Sequence, residues 1–240
     1  PPIEGIEGEP PQRAELRMPI LLGGMRPGTG MRLRDMRRVA MTHGVAIVED
    51  VLATWGDSAA TLSLGYDTDA TTKSHVAALA DEAVARVRAG AELIMLSDRD
   101  VSDDQRTCDP MLAVAAVDKA LRETYAEDGI SIRRRASVIL HSAGLRNVHD
   151  VMVALGLGAQ AVAPYAMLEY TATISSDVGE GASNLIQALQ KGVEKVLSTL
   201  GIHELRGYAR LMSAIGVQPE ILDILAMPGL LLFLSLNGSL

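Results

Sequence analysis

Ala91-Glu92-Leu93-Ile94-Met95-Leu96-Ser97-Asp98, with Cys108-Asp109-Pro110-Met111 following it, decides how the whole chain reads. Four successive apolar residues without alternation form too short a run for a helix. They suit a strand covered on both faces. Asp109 then offers a helix N-cap, and Pro110 stands at the first helical position, where its missing N–H costs nothing. The helix so opened places Met111, Val114, Val117, Leu121 and Tyr125 on one face. Upstream, Asp69 to Thr72 supplies capping residues. Val76, Ala80, Ala83, Val84 and Val87 recur at helical spacing until Gly90. Downstream, Ser137–Leu140 reads as a strand. A helix from about Leu145 presents Val148, Val151, Met152 and Leu155 inward, and Ala159–Ala163 reads as another strand. Strand, helix, strand, helix, strand with short connections predicts an α/β domain whose sheet is largely parallel and covered by helices.

The flanks read less sharply. Residues 1–30 are punctuated by Pro and Gly, as an extended connector would be. Val45-Ala46-Ile47-Val48 is a candidate buried strand, and Thr61–Leu64 a poorer one. After Asp177 a C-terminal helical segment begins. Its first helix carries a stripe of Leu185, Leu189, Val193, Val196, Leu197 and Leu200, and shorter helices follow at about 203–214 and 218–226. The domain is thus expected over residues 31–226. Residues 227–240 form an apolar tail or interface segment whose Leu230–Leu236 core falls short of the roughly 20 residues a membrane helix needs. A chain that starts at Pro1 without Met reads as an excised piece of a longer protein.

Composition narrows the function classes. With 48% apolar and 22% charged residues the chain can build a core, and only 3% are aromatic, so that core must be aliphatic. A net charge of −8 argues against a nucleic-acid partner. The basic run Arg26, Arg32, Arg34, Arg37 and Arg38 reads as a solvated or domain-facing stretch rather than an anion site. Cys108 is the one cysteine, which excludes an intrachain disulfide framework and a cysteine-ligated zinc or iron–sulfur site.

Five motifs invite chemistry. Gly156-Leu157-Gly158-Ala159-Gln160-Ala161 matches the dinucleotide fingerprint but follows a helix and precedes a strand, the reverse of what a phosphate cradle needs. Gly156 is better read as a helix C-cap. Gly23-Gly24-Met25-Arg26-Pro27-Gly28-Thr29-Gly30 is glycine-rich with basic neighbours, yet lacks a P-loop ending and reads as a linker. Asp98, Asp100, Asp103, Asp104 and Asp109 crowd the loop where parallel sheets place their sites. Arg99 and Arg106 offset part of that charge, so solvated or capping carboxylates are the plain reading. His141-Ser142 and His149-Asp150 can be written as a Ser–His–Asp set, without a nucleophile elbow. Cys108, near a helix N-terminus, is placed where its thiol pKa would fall, though an incidental thiol is the default.

Four motifs in order carry a family resemblance. Ala91–Arg99 followed by Pro110–Val117, Val148-His149 leading to Gly156–Tyr165, Lys191–Ile202, and Ala214–Val217 resemble the central domain of the glutamate synthase large subunit over roughly residues 73–225. The resemblance implies a non-catalytic connecting domain of a cytoplasmic enzyme that turns glutamine and 2-oxoglutarate into glutamate. The domain would pack between glutaminase and flavin-binding domains and help form the ammonia tunnel. FMN and an iron–sulfur cluster are then expected in other parts of the parent, with no cofactor, metal or catalytic residue in this chain. Ser97, Asp98, Arg99, His149 and Tyr165 are the candidates for facing the neighbouring domains or the tunnel. Partners are those two domains, possibly with a homo-oligomer, and neither nucleic acid nor membrane. A free-standing interaction module of the same fold, and an independent α/β enzyme using the acidic loop 98–109, are the other readings.

Overall fold

A computed structural model describes residues 16–205, 208–209 and 217–227. Two helices open it, α1 (Leu33–His43) and α2 (Val48–Trp55). Strand β1 (Ala59–Ser63) and the short β2 (Gly65–Tyr66) precede α3 (Thr72–Arg88). Next come β3 (Leu93–Ser97), the short β4 (Arg106–Thr107), α4 (Pro110–Glu123), β5 (Ser137–His141), α5 (Val148–Leu157) and β6 (Ala161–Ala163). Helices α6 (Tyr165–Ile174), α7 (Val178–Thr199) and α8 (Pro219–Ile224) finish the described chain.

The main sheet has the order β1-β3-β5-β6, parallel throughout, with Leu93 beside Ser137 and Leu140 beside Val162. It grows in one direction, and single bridges continue it from Val162 to Ile20 and from Leu22 to Ile47. Because side chains alternate across a strand, the sheet buries two separate faces. Ile94, Leu96, Val138, Leu140 and Val162 join the large core shared with α3, α4, α5 and α7. Leu93, Met95, Ile139, Ala161 and Ala163 meet Val48, Val51 and Trp55 of α2 on the other side. This is the expected α/β sheet.

Caps explain the boundaries. Thr71 and Ser74 form a reciprocal capping box at α3, and Asp109 accepts from the N–H groups of Met111 and Leu112 ahead of Pro110. Asn147 and Asp177 do the same for α5 and α7.

Several expectations need correction. Gly156 is not a C-cap. It is buried inside α5, and Gly158 ends that helix with φ +127°. A distant cluster packs against this turn. Asp118 of α4, fully buried, accepts from Arg133 Nε and Arg122 Nε at 2.7 Å each. Arg133 also donates to the carbonyls of Ala136 and Gly158. A Cβ on Gly158 would sit 2.4 Å from Asp118 Cγ, so this turn admits glycine alone. Val45–Val48 is not a strand, because the chain bridges only at Ile47 and turns helical at Val48. Tyr125 lies beyond α4 and is exposed. Within the segment read as connector, Ile20, Leu21 and Leu22 are fully buried, with Leu21 N–H donating to Val162 and Leu22 N–H to Ala46. Residues 1–15, most of the helix expected at 203–214 and the apolar tail beyond Met227 lie outside the described residues.

Candidate functional site

The C-terminal ends of β3, β5 and β6 carry a polar cluster. Register sets Ser97, His141 and Ala163 side by side on the face that α2 covers, so the last two apolar rows end in a serine and a buried histidine. His141 Nε2 lies 2.9 Å from the Gly24 carbonyl, which can only accept, so the neutral ring carries its proton there. Nδ1 is then the acceptor for the Ser97 hydroxyl at 2.8 Å. Ser97 Oγ in turn receives the Arg99 N–H. Burial holds the His141 pKa below the ordinary histidine value. The Gly24 bond works against that shift, and the charge of Arg99 adds to it.

The next residue along each strand builds a second layer. Asp98 accepts from Tyr165 Oη at 2.8 Å, from the Ser142 hydroxyl and from the Ala143 N–H. One carboxylate thus ties β3 to the β5–α5 connection and to the first residue of α6. Burial, then the hydrogen bond to Asp98, pushes the Tyr165 phenol pKa well above its ordinary value. The His141 and Tyr165 rings lie 4.7 Å apart.

Over this layer runs the glycine-rich segment 23–30. Gly24 N–H donates to Glu49 Oε1 at 2.9 Å. Arg26 meets Glu169 of α6 through its backbone N–H at 2.7 Å and through a two-pronged guanidinium contact, Nη2 to Oε2 at 2.6 Å. Burial opposes ionisation of Glu169, but the bonds from Arg26 outweigh it and hold the carboxyl below its usual range. Arg26 also lies 6.0 Å over the Tyr165 ring. A Cβ on Gly24 would fall 2.3 Å from His141 Nε2, so only glycine allows this approach.

The sequence candidates Ser97, Asp98, Arg99 and Tyr165 come together here. Arg99 pairs outward with Asp100. His149 does not join them, being exposed on the first turn of α5. The Ser–His–Asp reading fails as geometry. Ser97, rather than Ser142, meets His141, whose other nitrogen faces a carbonyl, and Asp150 is held in the capping bonds of α5. Glu49 and Glu169 carried no sequence signal, since their partners lie 25 and 143 residues away. The basic run is largely neutralised: Arg37 pairs with Asp50, and Arg34 and Arg38 flank Asp35. Among the described residues no group of three or more His, Cys, Asp or Glu is placed to hold a metal ion, and no helix is long and apolar enough to cross a membrane. Cys108 is buried, and burial, aided by Asp109, pushes its thiol up to about 12, opposite to the shift expected at a helix N-terminus. Such a thiol does not fit an iron–sulfur ligand.

Residues 9–218 match the family described as the glutamate synthase central domain. The large chain of NADPH glutamate synthase from Bacillus subtilis is 30% identical over 145 residues, covering 56% of this chain and 9% of that protein. Ferredoxin-dependent glutamate synthase 2 from Synechocystis is 30% identical over 188 residues, 68% of this chain and 12% of that one. The matched stretch therefore spans about a tenth of the length of these curated relatives. Among solved structures, the flavin-binding domain of baker's yeast flavocytochrome b2 is 16% identical over 81% of this chain and 49% of that chain. The TM-score of that match is 0.47. With most of its length matched, the chain belongs to the glutamate synthase central domain family.

Proposed function

We propose that this chain is the connecting layer of a cytoplasmic glutamate synthase-like large subunit, in which glutamine and 2-oxoglutarate yield glutamate. It packs between a glutaminase and a flavin-binding domain and contributes to the wall of the ammonia path. The observation that carries this reading is the family match over residues 9–218, with relatives in which the matched stretch is only 9–12% of the length. The strand-end cluster supports a structural role. Asp98 accepts from three donors on two segments, Tyr165 is held as a neutral phenol, and His141 is locked between a serine and a carbonyl. Groups so engaged position loops rather than move protons. Flavin and iron–sulfur chemistry would be supplied by other domains of the parent. Ser97, Asp98, Arg99 and Tyr165 then set the shape of the face turned toward those neighbours.

The test pairs the isolated chain with the complete protein that contains it. The isolated chain should be colourless and release no ammonia from glutamine. The complete protein should form glutamate from glutamine and 2-oxoglutarate with a reductant. Glutaminase activity in the isolated chain, or a complete protein lacking glutamate formation, would overturn the reading. The second outcome would favour the free-standing interaction module.

A further inference from the structure

We propose that residues 23–32 are a hinged strap that opens and closes as one unit over the strand-end cluster, with the Arg26–Glu169 ion pair as its latch. Three features of the geometry point there. Glycine pairs at both ends, Gly23 and Gly24 (φ +87° and +65°) and Gly28 and Gly30 (+89° and +80°), use backbone conformations that side chains resist. Of the strap's residues, Met25 and Met31 rest half-buried against the core, whereas Arg26, Pro27, Gly28 and Gly30 are exposed. A Cβ on Gly28 or Gly30 would meet nothing within 4 Å, and the strap residues, with Met36 and Glu49, line a cavity of about 470 Å³. Held to the core by those two methionines, the segment has few of the dispersion contacts that fix a loop.

What holds it is polar and local. Glu49 binds the Gly24 N–H, His141 binds the Gly24 carbonyl, and Glu169 binds Arg26 at both backbone and guanidinium. The latch is asymmetric. The Arg26 side chain is 61% exposed and Glu169 only 10%, so Arg26 can swing into water without crossing any packed layer. Glu49 Oε2, buried without a hydrogen-bond partner, sits against Gly23 at the first hinge, where a shift of the strap would free it to find a donor. Opening removes Arg26 from above Tyr165 and the Gly24 carbonyl from His141, turning a covered polar layer into an open cleft at the strand ends. Protonating His141 would not release the strap, because Nε2–H donates to Gly24 in both charge states. The control point is therefore the ion pair.

Residue-resolved amide exchange on the protein tests this. In the unmodified protein the Arg26 amide should exchange by a partial opening, at least tenfold faster than the amides of Leu21 and Leu22, which are bonded to Val162 and Ala46. Glu169→Gln should speed exchange over residues 24–32 about tenfold further, while β3, β5 and α6 stay unchanged. Arg26→Gln, which keeps the backbone bond, should fall between. An Arg26 amide that exchanges only as slowly as Leu21 would overturn the proposal. So would a Glu169→Gln effect that spreads through α6 and the sheet, since Glu169 would then be a structural residue and not a latch.

Discussion

Replacing Asp118 by alanine should cost this domain about 3 kcal/mol, the lower end of the roughly 3–5 kcal/mol seen when one partner of a buried ion pair is removed. Asp118 is fully buried and Arg133 is only 11% exposed, so the guanidinium would keep its charge without an anion beside it. The lower end applies because Arg133 retains the Ala136 and Gly158 carbonyls as acceptors. Arg122 adds little. Its side chain is 52% exposed and rehydrates on losing its partner, so Arg122→Ala should cost no more than about 0.2–1 kcal/mol. For a domain of this size about 3 kcal/mol is a melting shift of about 6–12 °C. Urea unfolding should show the same loss at the midpoint with an unchanged slope. Replacing both partners, Asp118→Leu with Arg133→Met, should recover much of the loss, because an apolar pair leaves no buried charge. A loss below about 1 kcal/mol for Asp118→Ala, or a double variant no more stable than Asp118→Ala alone, would refute the argument.

Gly158→Ala should destabilise by more than about 1 kcal/mol in thermal melts, through its left-handed backbone and the clash with Asp118, and by more than Gly156→Ala, whose site is helical. Equal melting curves for the two variants would remove Gly158 as the cap. Native Cys108 should not react with iodoacetamide at pH 8, since its thiol is buried and pushed up to about 12, whereas urea-unfolded chain should label readily. His141 makes stability pH-dependent with a definite sign. Its folded pKa lies below the unfolded value near 6.5, so the unfolded chain binds the extra proton. The stabilisation is complete above that value and is lost as pH falls through 6.5 toward the folded pKa. Urea midpoints should therefore drop from pH 7.5 to 5, less steeply in His141→Gln. Identical slopes for the two proteins would contradict the assignment.

Local chemistry made the alternation of β3, α4, β5, α5 and β6 legible. Continuous apolar runs, Asp109-Pro110 and the spacing of Val76, Ala80, Ala83 and Val87 each act within a few residues. So do the α/β class and the motifs that carry the family resemblance, through which Ser97, Asp98, Arg99 and Tyr165 were named as candidates for facing the neighbouring domains. What sequence could not rank was decided by contacts between distant residues. Gly156 and Gly158 offer equal freedom to a cap, and the folded chain turns at Gly158, where Asp118, forty residues earlier, leaves no room for a Cβ. A helix N-terminus lowers a thiol pKa in isolation. Cys108 instead hands its N–H to Leu64 and is buried, so desolvation wins. His149 looked equivalent to His141 in the chain, yet strand register buries one and helix phase exposes the other. Segment 23–30 read as a linker because its glycines and arginine name no partner. Only folding brings Glu49, His141 and Glu169 to it, across separations that no local pattern encodes.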